Sequence, residues 1–180
     1  MIYYRTFPVL FLLIGFTLGS CGFSPMYGNV NTSPGNKVVE NQMARIDIAR
    51  IPEREGQILR NTLVERLHGG GDSTVRTTYS LKVEPINEKR TELDITETSD
   101  TTRAQLKLST TISLKHAGKG KTALQRDIQA VTSYNVLASQ FTTRVSRQNA
   151  RENAIRTLAD RIERQLALYF KRTSKTESDT

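Results

Sequence analysis

Two runs of alternating character, separated by a glycine-flanked lysine, constrain this chain more than any other feature. In the first, Ala104, Leu106, Leu108, Thr110, Ile112 and Leu114 fall on one parity with polar side chains between them. In the second, Leu124, Ile128, Ala130, Tyr134 and Val136 share one parity. Period two is the spacing of a strand that buries one face. Gly118-Lys119-Gly120 lies between the runs and reverses the chain, so together they predict a long hairpin. One face of such a hairpin must be covered. Arg126 breaks the apolar parity of the second run, which leaves that end facing solvent or a ligand.

The cover is legible on both sides of the hairpin. From Glu53 to His68 the residues Ile58, Leu59, Leu63 and Leu67 recur at helical spacing, with acids in the first turn and Gly69-Gly70-Gly71 as a stop. After Thr142 a second helical stripe runs through Ile155, Leu158, Ala159, Ile162, Leu166 and Tyr169. Its start falls between about Thr143 and Arg151, because Arg144 to Asn153 is polar apart from Val145 and Ala150. Ala44 to Ile51, ended by Pro52, and Tyr79, Leu81 and Val83 add two further strands. Pro85 interrupts a long strand or marks an edge or bulge; Leu93 and Ile95 continue it, and Ser99-Asp100 supplies a turn. The order β-α-β-β-β-α predicts an α+β fold: a two-layer sandwich with an antiparallel-rich sheet of about four strands and two helices on one face.

The one cysteine bears on location. Arg5, the apolar run Val9 to Phe16 and Gly19-Ser20 have the three parts of a secretory signal, and the run is shorter than the roughly 20 residues of a spanning helix. Leu18-Gly19-Ser20-Cys21 resembles the lipobox of bacterial lipoproteins, in which the cysteine is acylated and becomes the new N-terminus. Two acyl chains suffice for stable membrane attachment, since each buried methylene contributes about 0.8 kcal/mol. The expected organisation is a signal peptide over 1–20, a lipidated flexible linker over 21–42 rich in Gly, Pro, Asn and Ser, one domain over 43–170, and a disordered tail over 171–180. By resemblance to the sorting rule of Gram-negative lipoproteins, Gly22 after the cysteine favours the outer membrane.

Chemistry is sparse. Removing Arg5 with the signal reduces 26 basic residues to 25 against 18 acidic ones, a surface suited to lipid phosphates or acidic proteins. Nucleic acid is not an expected partner of an exported chain. The two histidines, His68 at a helix C-terminus and His116 beside a turn, have ordinary structural explanations. There is no CxxC, HExxH, GxSxG or Walker pattern, so no catalytic residue, metal or cofactor is expected and the chain is read as a non-enzyme. Lys89 and Arg90 in one loop or bulge, with Lys119, Lys121 and Arg126 flanking the hairpin turn, are the candidate contacts for phosphate groups. Plain solubility is the competing explanation for all five.

Cys21-Gly22-Phe23-Ser24-Pro25-Met26-Tyr27-Gly28 is similar to the Cys-Gly-Phe-x-Pro-Leu-Tyr-Gly opening of the LPS-assembly lipoprotein family, LptE, in its alphaproteobacterial branch. Met26 stands where leucine is commoner. The strand Ala44 to Ile51, the helix Arg54 to Leu67 with Leu-Arg-Asn-x-Leu at Leu59 to Leu63, and the helix through Ala154 to Leu166 extend the resemblance over nearly the whole mature chain. It implies a two-helix, four-stranded outer-membrane lipoprotein that plugs the lumen of the LPS-export β-barrel, LptD. There it would assist barrel assembly and lipopolysaccharide insertion into the outer leaflet. Under that reading the five basic residues would contact LPS phosphates or acidic lumen residues. The alternative is a freestanding lipoprotein that binds a ligand or scaffolds the envelope; an envelope hydrolase is weakest, lacking nucleophile and base.

Overall fold

The computed structural model describes residues 34–69, 76–95 and 101–178. The signal segment, Cys21, most of the expected linker and the Ser99-Asp100 turn lie outside them. The described elements are helix α1 (Pro34–Met43), strand β1 (Ile46–Ile48), helix α2 (Glu53–His68), strands β2 (Tyr79–Val83), β3 (Asn87–Ile95), β4 (Thr101–His116) and β5 (Thr122–Asn135), and helix α3 (Gln140–Ser178).

The expected hairpin is the spine of the fold. β4 pairs antiparallel with β5 from Arg103↔Asn135 to Lys115↔Thr122, and the turn between them places Gly120 at φ 60°, where glycine carries no Cβ penalty. The other side of β4 carries two strands in one lane: β2 against Ile112 to His116, and β3 against Thr101 to Ser109. The break between them is Glu84-Pro85-Ile86, as the proline requires. Glu84 N–H still donates to the Thr111 carbonyl at 2.9 Å, and the Thr110 hydroxyl donates to the Glu84 carbonyl at 2.6 Å. This bond explains a buried threonine in an apolar row. β1 joins β2 in parallel, Ile46↔Tyr79 to Ile48↔Leu81, so the α+β sheet is mixed: five strands in four lanes.

The even parity of the hairpin packs against the helices. Leu106, Leu108, Ile112 and Leu114 of β4 meet Ile155, Leu158, Ile162 and Leu166 of α3 and Leu59 and Leu63 of α2 in one core. The odd parity, including Gln105, Lys107, Ser109, Thr111 and Ser113, forms a polar face that no helix covers among the described residues.

Four boundaries differ from expectation. Ala44 to Ile51 is strand only over Ile46–Ile48, because Ile51 turns into the core ahead of Pro52. The segment expected to remain linker up to residue 42 forms α1 from Pro34. Proline suits a first helical turn, where its missing N–H has no partner to lose, and Val39 and Met43, four apart, pack on the core. The segment expected as a disordered tail continues α3 to Ser178, with the Thr173 and Thr176 hydroxyls donating to carbonyls four residues back. The helix also begins at Gln140, upstream of the expected range. Ser139 caps it: the Thr142 N–H donates to Ser139 Oγ at 3.5 Å.

Candidate functional site

A depression of about 530 Å³ opens between β3, the end of β5 and the first three turns of α3. Arg90, Arg144, Arg147 and Arg151 line it, with Tyr134, Val136, Leu137, Gln140, Thr143 and Gln148. Its walls follow from local chemistry. Thr143 clasps the β5–α3 connection, its hydroxyl accepting from Leu137 N–H at 2.8 Å and donating to the Leu137 carbonyl at 3.0 Å. That sets the angle at which α3 leaves the sheet. Positions 144, 147 and 151 then lie on one helical face.

The four arginines are not equivalent. Arg151 is a brace: Nε and Nη2 reach the two Glu88 carboxylate oxygens at 2.7 and 2.9 Å, Nη1 donates to Gln148 at 3.2 Å, and Glu55 of α2 lies 3.9 Å away. This fork ties α3 to β3 and α2. The hydrogen bond from Arg151 holds the Glu88 carboxyl below its ordinary value, with the positive fields of Arg151 and Arg147 acting the same way against burial. Arg90 is held by Glu92 at 3.2 Å on an exposed edge. Arg144 and Arg147 form no ion pair among the described residues: the field of Arg147 reaches Glu88, but both carboxylate oxygens there are taken by Arg151. The mouth of the cleft therefore carries two unpaired guanidiniums. Leu137 lines the cleft half-exposed, and Phe141 and Val145, one turn apart on α3 outside the lining, are 76% and 43% exposed. Cations next to exposed apolar groups match a ligand with an anionic head and an apolar body.

The five sequence candidates are distributed over four places. Arg90 enters the cleft. Lys89 points to the opposite face, directly across from Lys107. Lys119 and Lys121 lie exposed in the β4–β5 turn, and Arg126, opposite Ile112, lines a separate groove with Tyr169 and Arg172. Arg90 pairs with Leu106, six positions from Ile112 along β4, so Arg90 and Arg126 are about 20 Å apart. One cluster is therefore not formed. Arg144, Arg147 and Arg151 were missed; their i, i+3, i+7 spacing was the available signal, hidden by the unplaced helix start.

The histidines have structural roles. His68 Nε2 meets the Ile46 carbonyl at 3.0 Å, tying α2 to β1. His116 Nδ1 accepts from Gly118 N–H at 3.2 Å, and its ring sits edge-on to Tyr79 at 5.2 Å. Among the described residues no group of His, Cys, Asp and Glu is placed to hold a metal, and no helix is long and apolar enough to cross a membrane.

Fold and site define a class: an α+β sandwich with a cleft lined by arginines and by Val136 and Leu137. The chain belongs to the lipopolysaccharide-assembly family LptE, a non-enzymatic lipoprotein family, whose model matches residues 43–166. Solved structures share the fold. A putative lipoprotein from Caulobacter crescentus is 20% identical, with 73% of this chain and 95% of that one covered at a TM-score of 0.57. A minor lipoprotein from Acinetobacter baumannii is 22% identical, covering 69% and 92% at 0.55. The rare lipoprotein B from Shewanella oneidensis is 13% identical, covering 75% and 98% at 0.55. No curated protein matches the chain in sequence.

Proposed function

We propose that this LPS-assembly lipoprotein is held at the outer membrane through lipid on Cys21 and partners the LPS-export β-barrel, LptD, as a plug. In that setting it assists barrel assembly and lipopolysaccharide insertion. The cleft between β3, β5 and α3 takes a phosphate of the glycolipid, with Arg144 and Arg147 as the free cations, Arg90 at the rim, and Leu137, Phe141 and Val145 beside the acyl region. Lys89, Lys119, Lys121 and Arg126 are left to outlying phosphates or acidic lumen residues. The observation that carries the reading is the pair of guanidiniums without an ion pair among the described residues, in a cleft that half-exposed Leu137 also lines, in a chain of this family.

Two measurements test it. Extraction in mild detergent brings down the barrel at near-equal stoichiometry; a lone, monodisperse lipoprotein points instead to the freestanding module. In LPS titrations, Arg144→Gln with Arg147→Gln weakens binding at least tenfold, since a hydrogen bond to a charged group contributes about 1.5–3 kcal/mol. The same pair flattens the salt dependence and leaves unfolding unchanged. Unaltered affinity and salt dependence remove the cleft from the proposal.

A further inference from the structure

The described strands that border the sheet are guarded to different degrees, and a free edge is a template for another strand. β1 is closed by α2: His68 meets the Ile46 carbonyl at 3.0 Å, and Arg60 Nε donates to the Ile48 carbonyl at 3.1 Å. β3 carries Glu88, Lys89, Arg90 and Glu92 close together and has register shifts near its end, devices that discourage pairing. β5 has neither defence over most of its length. From Ile128 to Asn135 it contains no charge and no proline, and its only register shift against β4 lies at the turn, by Leu114 and Lys115.

A groove runs beside this edge under α3. One part, of about 220 Å³, lies between Ala123–Arg126 and Gln165, Leu168, Tyr169 and Arg172. Another, of about 270 Å³, lies between Thr132–Asn135 and Ser146, Asn149 and Asn153. Between them the Arg161 guanidinium donates to the Gln129 carbonyl. In an antiparallel ladder alternate residues turn both backbone groups away from the partner strand. The Arg161 bond places Gln129 in that outward set, together with Gln125, Asp127, Val131, Ser133 and Asn135. Five outward residues therefore flank Arg161, and the carbonyl of one of them, Gln125, accepts from the adjacent Arg126 Nη1 at 2.9 Å.

We propose that the edge of β5 receives an extended, acidic segment of a protein partner as an added strand, and that this segment displaces Arg161 from Gln129. Charge selects the occupant. Arg126, Arg161 and Arg172 border the groove, and Asp127, the acid on this edge, already accepts from the Thr111 hydroxyl at 2.7 Å. A second copy would bring two such basic edges together; an acidic strand would neutralise them. Main-chain bonds to the outward residues hold the segment, half-exposed Val131 offers it an apolar side-chain contact, and Arg161 is freed to meet its carboxylate.

This rests on the barrel-partner reading, with the segment belonging to the barrel. Residue-resolved hydrogen exchange on the detergent-extracted complex, against the free lipoprotein, tests it. The outward amides of Gln129, Val131 and Ser133 gain at least 100-fold protection in the complex, while those of β2 do not change. Val131→Pro removes one outward N–H and spares the β4–β5 ladder, so it weakens co-purification at least tenfold; Arg161→Glu does the same by repulsion. A complex that forms with these amides as fast as in the free protein overturns the added strand and leaves the barrel reading intact. Protection in the free protein that rises with its own concentration overturns it in favour of self-pairing. No complex with the barrel overturns both.

Discussion

Gly56 sits in the first turn of α2 close against Ile51, and Gly56→Ala has two opposing effects whose sizes the structure decides. A Cβ there would lie 2.6 Å from Ile51 Cγ2 and 3.2 Å from the Ile51 carbonyl carbon and Cβ. Alanine in place of glycine favours the helix by about 0.5–1 kcal/mol. Against this, Ile51 or α2 must retreat by several tenths of an ångström or more to restore ordinary contact. Ile51 is not free to do so. It is fully buried, precedes the φ-locked Pro52, and its carbonyl accepts from Gln57 Nε2 at 2.8 Å. Overpacking of this kind costs about 1–3 kcal/mol. The clash wins, and the net loss is roughly 1–2 kcal/mol, or a midpoint lower by about 3–8 °C for a domain of this size. Urea unfolding followed by circular dichroism measures it. Ile51→Leu removes the offending Cγ2, so the double variant should lose less than the two singles combined. A Gly56→Ala protein as stable as the parent would refute the argument, because helix propensity would then have prevailed over a contact that cannot relax.

Other perturbations follow from named contacts. Arg151→Met cuts the fork to Glu88 and leaves a part-buried carboxylate unpaired, costing about 1.5–3 kcal/mol in chemical unfolding; a loss below about 0.5 kcal/mol would mean that the fork adds nothing to the fold. Glu88 is held below its ordinary 4.5, so the bridge contributes fully above that value and is lost as pH falls through the folded-state value. The stability gap between parent and Glu88→Gln should therefore close below about pH 4.5 and stay constant at neutral pH; a gap that widens in acid contradicts the assigned sign. Gly69 ends α2 at φ 60°, and a Cβ at that position would meet nothing within 4 Å, so Gly69→Ala costs about 1 kcal/mol from backbone conformation alone. Phe141→Ser leaves stability within about 0.5 kcal/mol, since the ring is 76% exposed, while lowering LPS affinity; an equal loss of both would make the ring part of the packing.

What could be read from the sequence depended on whether a pattern was repeated. Six alternating buried positions from Ala104 to Leu114, five of them apolar, and the long stripe of α3 left little freedom, and the observed pairing Leu114↔Leu124 follows from them. α1 has only Val39 and Met43 to contribute to the core. With Pro34-Gly35-Asn36 as its first residues, the segment carries the composition of a linker, and its helix depends on packing against α2 and α3, which no local window reveals. The same limit affected the site. Lys89 and Arg90 are adjacent in sequence, but strand alternation sends them to opposite faces, Lys89 to Lys107 and Arg90 to the cleft. Grouping cations by proximity along the chain overlooked that alternation.

The arginines of α3 show why charge alone is a poor guide to function in a basic protein. Arg151 is the most heavily bonded of the cleft arginines, and for that reason it holds the cleft together without being available to a ligand. Arg66, on α2, is likewise committed to Asp160 and Glu163 of α3 and joins the two helices. Arg161 is committed only to a carbonyl, an acceptor that carries no net charge, so an incoming carboxylate has the stronger claim on it. Arg144 and Arg147 are held by no carboxylate among the described residues, since the acid nearest to Arg147 in effect, Glu88, is already bound at both oxygens by Arg151. Ordering these side chains by what already neutralises them separates brace, edge contact and ligand site along one helix. It also makes the readouts independent: unfolding for Arg151, strand protection for Arg161, and salt-dependent lipid binding for Arg144 and Arg147.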